Sequence, residues 1–90
     1  MEIQTKYKYI VKKSHTNEPI IQNTRISVRD IVEQWKMGVS PEEIPSQYPH
    51  ITLSHVFEAL AYYHDNKDEI ESFIDKNKVP ENLNGQSISR

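Results

Sequence analysis

Three helix-start signals lie close together in the middle of this 90-residue chain, and they constrain the fold more than any other feature. Ser27, Ser40 and Thr52 are residue types that cap the first amide groups of a helix. Gly38, two residues before Ser40, is the residue type that most often ends one. The gaps between these signals leave room only for short turns. The sequence therefore predicts three helices joined as in a helix-turn-helix domain.

The first two predicted helices differ in length. The first begins after Ser27, and its apolar residues recur at helical spacing on one face, which we expect to be buried. These residues are Val28, Ile31, Val32 and Trp35. The second begins at Ser40, and Pro45 lacks the amide hydrogen that a helix interior requires. We therefore expect it to have one or two turns, kinked or partly 3₁₀.

Two further helices are predicted in the second half of the chain. The third runs from Thr52 to about Asp65, and its predicted buried stripe consists of Leu53, Val56, Phe57 and Leu60. A new start signal at residues 66–69 opens a fourth helix that ends near Asn77. Its apolar residues are Ile70, Phe73 and Ile74. They either pack on the domain's own core or bind a protein partner, and the sequence leaves both possibilities open.

Strands are predicted before the helices. Tyrosine and valine alternate with lysine and isoleucine over residues 6–12, the period of a half-exposed strand. Residues 19–21 and 24–28 flank a Gln-Asn pair suited to a tight turn, which predicts a hairpin. The expected fold class is mostly α, with an N-terminal hairpin and strands over residues 1–26. A domain of three to four helices follows over 27–77, and a disordered tail over 78–90.

The residues needed for most enzymatic chemistry are missing. The chain has no cysteine, which excludes disulfides, thiolate zinc sites and a cysteine nucleophile. It has no glycine-rich phosphate loop and no nucleophile placed beside a base. His55 and His64 are nine residues apart on one helix, about half a turn out of phase, so they do not converge on one metal ion. We expect no enzymatic activity, small-molecule substrate, metal or other cofactor.

Charge and hydropathy indicate where in the cell the protein is expected and what kinds of partner it can bind. No apolar run approaches the roughly 18 residues that span a bilayer, and the first residues do not resemble a signal peptide, so we expect a cytoplasmic protein without membrane contact. The net charge is −2. Seven Lys or Arg against four acids over residues 1–36 give +3, and four against nine over 37–90 give −5. This split suggests two surfaces with different partners, although solvated faces alone can produce it.

Nucleic acid is one such partner. The exposed residues predicted at the start of the third helix are Ser54, His55 and Glu58, and the predicted basic contacts outside it include Lys12, Lys13, Arg25 and Arg29. Glu58 repels phosphate, which weakens this hypothesis. Arg29 opposes the macrodipole in the first turn of its helix, so it serves either a phosphate contact or a salt bridge to Glu33.

The second candidate surface is the acidic segment over residues 65–75. Ile70, Phe73 and Ile74 stand beside several acids, a pattern that suits binding to the basic groove of a nuclease. It suits packing on the domain's own core equally well. An exposed hairpin and a thin core also favour a homodimer.

Several short segments together resemble the DUF433 family. They are residues 19–28 (PIIQNTRISV), 38–44 (GVSPEEI), 48–49 (YP), Val56 and 59–63 (ALAYY), and the similarity covers about residues 18–70. This family is similar to winged or homeodomain-like helix-turn-helix proteins, and many of its members look like antitoxins encoded beside a PIN-like nuclease toxin. The chain departs from the family at Asn23, where glycine is usual, and at Pro45.

The resemblance implies a function that the residue patterns alone do not specify. It implies an antitoxin-like DNA-binding protein that regulates transcription at a DNA operator and binds a PIN-like toxin, working as a homodimer. The alternative is a protein-protein adaptor with the same fold and no DNA binding. Pro45 and Glu58 both favour this alternative, because the first shortens the element that braces the recognition helix and the second repels phosphate.

Overall fold

A computed structural model describes residues 2–78 of the chain. A three-stranded antiparallel sheet is followed by three α-helices, so the prediction of N-terminal strands before a mostly helical domain is confirmed. The strands are β1 (Glu2–Gln4), β2 (Ile10–Lys13) and β3 (Pro19–Ile21), and the helices are α1 (Val28–Lys36), a 3₁₀ helix (Ile44–Gln47), α2 (Leu53–Asp65) and α3 (Lys67–Lys76). The predicted disordered tail lies, except for Lys78, outside the described residues.

The N-terminal sheet differs from the prediction in where its strands begin. β2 lies between β1 and β3, with Ile3 opposite Lys12 and Val11 opposite Ile20. Residues 6–9, predicted as strand, form a bend and a turn instead. The Thr5 hydroxyl explains this difference, because it donates to the carbonyl of Ile10 and accepts from the N–H of Tyr7, which closes a loop before β2.

The predicted hairpin is present only in part. Asn23 has a φ of 65°, the left-handed conformation that the turn requires. The returning segment over 24–28 is not a strand and pairs with β3 only through a bridge between Ile20 and Ser27. The Thr24 hydroxyl accepts a hydrogen bond from the N–H of Ile26 at 3.0 Å, and the Ser27 side chain caps α1. These local hydrogen bonds compete with strand pairing for the backbone groups of this segment, so β3 gains no longer partner strand.

α1 begins and ends at the predicted residues. The Ser27 hydroxyl accepts from the N–H of Asp30, and the Asp30 carboxylate accepts from the N–H of Ser27, both at 3.0 Å. Gly38 follows the helix with a φ of 98°, and the next N–H, of Val39, donates to the carbonyl of Gln34. This is a Schellman C-cap, for which glycine is the favoured residue.

The buried faces of α1 and the 3₁₀ helix agree with the sequence except at one position. Val28, Ile31 and Val32 are fully buried, whereas Trp35, predicted to be buried, is only partly so. Its ring lies at the edge of the core, 6.2 Å from that of Tyr63. The short 3₁₀ helix contains Pro45, as predicted, but the predicted start at Ser40 is wrong, because residues 41–43 form a turn and the helix begins only at Ile44.

α2 is rotated relative to the predicted stripe. Leu53 and Phe57 are 39% and 49% exposed, so their predicted place in the core is wrong. Val56 is buried as predicted and Leu60 is partly buried against the core, and the other buried side chains of this helix are Ala59, Tyr62 and Tyr63. Tyrosine can be buried where its hydroxyl has a partner, and those of Tyr62 and Tyr63 donate to carboxylates of α3 at 2.6 Å.

α3 packs on the domain itself. Ile70 is fully buried and Ile74 is 5% exposed, and both belong to the main hydrophobic core. Phe73 is half-buried, with the ammonium of Lys76 5.2 Å from its ring. The prediction that Ile70 and Ile74 contact a partner is therefore not supported by this arrangement. A domain of this size needs their apolar surface for its own core.

A pair of isoleucine variants tests this packing. Ile70→Ala should lower the free energy of unfolding by about 2–5 kcal/mol, because it removes buried apolar contacts and leaves a cavity. Ile3→Ala makes the same chemical change at a side chain that is 48% exposed, and it should change stability by about 0.5 kcal/mol or less. Urea denaturation followed by circular dichroism measures both values. Equal effects would show that α3 does not belong to the core.

Candidate nucleic-acid interface

The loop between β1 and β2 lies along α2 and is held by side chains of that helix. The Glu58 carboxylate accepts hydrogen bonds from the backbone N–H groups of Lys8, at 3.3 Å, and of Tyr9. Near the C-terminal end of the helix, the Tyr7 hydroxyl donates to Asp65. The loop is thus attached to α2 at two points more than one helical turn apart.

The tyrosines of this loop pack on α2 while its lysines are exposed. Tyr9 packs edge-on against His55, with 4.6 Å between ring centroids. The Lys8 ammonium lies 5.2 Å from the centroid of the Tyr9 ring, and Lys6 is exposed as well. The alternation of lysine and tyrosine therefore reflects a loop with one face on a helix. It places positive charge beside α2, which itself contains no Lys or Arg.

A polar groove lies at the N-terminal end of α2. It has a volume of about 490 Å³ and is lined by Tyr9, Gln22, Asn23, Thr24, His50 and His55. All six side chains can form hydrogen bonds, and none is acidic. Asn23 and His50 have φ values of 65° and 68°, so each marks a tight turn at the groove. The groove therefore combines amide, hydroxyl and imidazole groups.

The first turn of α2 determines which nitrogen of His55 is a donor. The Thr52 hydroxyl accepts from the N–H of His55 at 3.3 Å, and Nδ1 of His55 accepts from the N–H of Thr52 at 3.0 Å. In the neutral ring an accepting Nδ1 leaves the proton on Nε2. The helix cap thus holds the ring of His55, which lines the groove and carries an N–H donor at Nε2.

Two cations lie next to groove residues in the chain. Lys8 precedes Tyr9, Arg25 follows Thr24, and both are exposed. Within residues 2–78, neither forms an ion pair at 4.0 Å or less. Their charges therefore remain available for a ligand.

Two other basic residues predicted to contact DNA are held by carboxylates of the domain. Arg29 bonds Glu18 at 3.1 Å and Glu33 at 3.3 Å, which confirms the alternative of a local salt bridge. Lys12 pairs with Glu69 of α3 at 3.0 Å. Both side chains are partly buried and their charges are already paired, so they contribute to the fold and are less available to a ligand.

The remaining predicted residues lie at different places. Ser54 is exposed in the first turn of α2, whereas Lys13 lines a separate groove with Glu2 and His15. Glu58 faces the loop rather than solvent. The structure therefore brings His55 close to the segment that carries Arg25, and it does not bring Lys12, Lys13 and Arg29 to the same groove.

Several groove residues cannot be found by reasoning from sequence alone. The Gln-Asn pair at 22–23 is recognisable as a turn, but the pattern assigns no role to its amide side chains. The sequence places Tyr9 in a strand and His50 in an ordinary loop. The available signal is the presence of two adjacent amides at a turn, since tight turns expose their side chains.

Comparison with known proteins places the chain in a family. The family model described as "Protein of unknown function (DUF433)" matches residues 14–63. The chain belongs to the DUF433 family. No curated protein and no solved structure matches the chain. The matched segment of this DUF433 protein extends from the end of β2 to Tyr63 in α2, so it contains every groove residue except Tyr9.

Two general features of the DUF433 protein bear on its possible ligands. None of the helices within residues 2–78 has the length and apolar character that a membrane span requires. The same part of the chain contains no group of three or more histidine or acidic residues placed to hold a metal ion.

Hydrogen bonds from tyrosine to carboxylate join the loop and α3 to α2. The bond from Tyr7 to Asp65 raises the pKa of the Tyr7 phenol to about 12, with burial and the negative charge of Asp65 adding to the effect. Burial, followed by the hydrogen bond to Glu69, also raises the pKa of Tyr62. In both cases the folded protein favours the protonated phenol over the phenolate.

These pKa shifts predict that the DUF433 protein loses stability at alkaline pH. Above pH 10 the phenols of the unfolded chain release protons, whereas folded Tyr7 keeps its proton until about pH 12. The unfolded state then binds fewer protons, so the free energy of unfolding falls between pH 10 and 12. Urea denaturation at pH 9, 10 and 11 should show this decline. It should be shallower in Tyr7→Phe, and an equally steep decline would contradict the assignment.

Proposed function

We propose that this DUF433 protein is an antitoxin-like DNA-binding protein that regulates transcription and binds a nuclease toxin. The observation that carries the DNA-binding part is the polar groove at the N-terminal end of α2, with exposed Lys8 and Arg25 next to its residues in the chain. We further propose that α2 acts as the recognition helix of a winged or homeodomain-like helix-turn-helix domain in the cytoplasm. The N-terminal end of α2, where the polar groove lies, would contact the bases.

The chemistry of the groove suits the edges of base pairs. Asparagine and glutamine amides can bond adenine in two places, and imidazole N–H groups can donate to base acceptors. Gln22, Asn23 and His55 supply these groups. Lys8 and Arg25 would contact phosphates, which contribute affinity without sequence preference. The arrangement therefore supports separate sources of specificity and affinity.

The position of Glu58 weakens an objection to DNA binding. A free carboxylate on a recognition helix would repel the phosphate backbone. Here the Glu58 carboxylate accepts two backbone N–H groups of the loop, and the exposed Lys8 belongs to that same loop. The negative charge is thus partly compensated, and it is turned toward the domain rather than toward a ligand.

Toxin binding rests on the family resemblance. Of the residues predicted for this role, Ile70 and Ile74 are in the core, which leaves the half-buried Phe73 at the surface of α3. A toxin would therefore contact other exposed side chains as well. A homodimer remains part of the proposal, since a small domain gains stability from a second subunit.

The second candidate function is a protein-protein adaptor without DNA binding. The observation in its favour is the exposure of Leu53 and Phe57 on α2. Apolar side chains on the outer face of a helix suit a protein partner better than a phosphate backbone. The two candidates differ in whether the polar groove has a ligand.

Fluorescence anisotropy with duplex DNA from upstream of the protein's own gene tests the groove. In Lys8→Gln/Arg25→Gln, affinity should fall for every sequence, and the slope of log K against log salt should flatten by about 0.9 for each phosphate that the variant no longer neutralises. Lys76→Gln is the matched control, since Lys76 is exposed on α3 and lies beside Phe73. It should retain the parent slope.

Asn23→Gly tests sequence readout in the same assay. Glycine adopts the positive φ of this turn readily, so the turn should persist while the amide is removed. We expect a smaller difference in affinity between the upstream DNA and unrelated DNA, with an unchanged salt slope. If the parent protein binds no duplex DNA at low salt, the adaptor becomes the better proposal.

A further inference from the structure

The outward face of α2 is uncharged. We define it as Leu53, Ser54, Phe57, Ala61 and His64, of which Leu53 and Phe57 are 39% and 49% exposed and the others are also exposed. Charged residues make up 27% of the chain, yet none of these five is Asp, Glu, Lys or Arg. A run of exposed apolar side chains without charge is typical of a surface that contacts protein.

Leu53 and Phe57 of this face do not enter the core of the domain, whereas His64 packs edge-on against Trp35, with 5.7 Å between ring centroids. Val56, Ala59 and Tyr63, on the other side of the helix, are the residues that enter the core. The loop between β1 and β2 contacts α2 through His55, Glu58 and Asp65. Leu53 and Phe57 lie outside both of these contacts, so 39% and 49% of their surface remains in water in a single chain.

We infer that the outward face of α2 binds the same face of a second copy, with the two helices antiparallel. The spacing of its residues is what makes the face self-complementary. Leu53 and Ala61 each lie four residues from Phe57, about 6 Å along the helix in opposite directions. A two-fold axis at Phe57 places the large Leu53 of one copy opposite the small Ala61 of the other, and such mutual contact defines an isologous interface.

Charge favours a second copy over other partners. A phosphate backbone would be attracted by positive charge and the basic groove of a nuclease by negative charge. None of the five residues of the outward face of α2 is Asp, Glu, Lys or Arg. A second copy brings a face that is equally uncharged. In the antiparallel arrangement, Asp65 at the end of one helix also comes near the N-terminal turn of the other, where the helix dipole favours negative charge.

This interface is compatible with the polar groove. His55, which lines the groove, lies two residues from Phe57 and so about 160° away around the helix. Pairing through Phe57 therefore leaves the groove open in both copies. The inference rests on the homodimer of the proposed function and names its surface, and it is independent of whether the groove binds DNA.

Light scattering of the full chain tests the pairing. At tens of micromolar we expect a mass twice the 10.6 kDa of one chain. Phe57→Glu should give the mass of one chain at the same concentration, because the dimer would bury two like charges at its centre. Ile3→Glu is the matched control at another apolar side chain that is 48% exposed, and it should remain a dimer. Circular dichroism establishes that each variant is folded.

Cysteine cross-linking tests the direction of the helices, and the absence of natural cysteine makes each introduced thiol unique. With a short bismaleimide, Phe57→Cys should link to itself across the two-fold axis. A mixture of Leu53→Cys and Ala61→Cys should form mixed dimers, whereas Leu53→Cys alone should stay unlinked. This measurement does not depend on whether Phe57→Glu folds.

Three results would overturn the inference. The first is a parent protein with the mass of one chain at tens of micromolar. The second is a dimer that Ile3→Glu abolishes and folded Phe57→Glu preserves, which would assign the interface to β1. The third is efficient linking of Leu53→Cys to itself, which would indicate parallel helices. DNA binding is measured separately, so failure here leaves the groove proposal intact.

Discussion

The burial of Tyr62 and Tyr63 sets the orientation of α2, and most of the surface follows from that orientation. Both rings are nearly buried, and both hydroxyls donate to carboxylates of α3 at 2.6 Å. A buried phenol without a partner would cost free energy, so these two hydrogen bonds allow the rings to displace smaller apolar side chains from the core. Leu53 and Phe57 consequently face outward. The same rotation turns His55 and Glu58 toward the N-terminal loop.

Ion pairs across the fold change how the charges of the chain should be understood. The sequence has a basic first part and an acidic second part, which suggested two surfaces. In the structure, Lys12 pairs with Glu69 and Lys36 with Glu71, so some of these opposite charges hold the N-terminal half against α3. Such ion pairs form only where folding brings the two charged side chains within about 4 Å of each other. The charges available to a ligand are therefore fewer than the count of lysines and arginines indicates.

The two proposed surfaces of α2 use different chemistry at different positions. The groove at its N-terminal end is formed by amide, hydroxyl and imidazole groups, whereas the outward face is uncharged and exposes Leu53 and Phe57. A single helix can present both because residues two apart point in nearly opposite directions. His55 and Phe57 are the pair that separates these surfaces. This separation would allow one helix to contact a nucleic acid and a second subunit together.

Features that depend on neighbouring residues could be predicted from the amino-acid sequence. The caps at Ser27 and Thr52, the C-cap at Gly38, the positive φ of Asn23 and the short element at Pro45 were all predicted, because each depends on hydrogen bonds or dihedral angles within a few residues. The similarity to DUF433 was likewise visible in short segments of the chain.

Which helix faces are buried, and which side chains contact each other, depended on how the elements pack together. The period of α2 allowed a stripe through Leu53 and Phe57 as readily as one through Tyr62 and Tyr63. The choice depended on carboxylates of α3 that accept the tyrosine hydroxyls. The loop before β2 was predicted as a strand; Thr5 closes it locally, and Glu58, some 50 residues away, accepts its backbone N–H groups and so holds it on α2. Contacts between distant residues have no periodic signal in the sequence, because they exist only once the chain has folded.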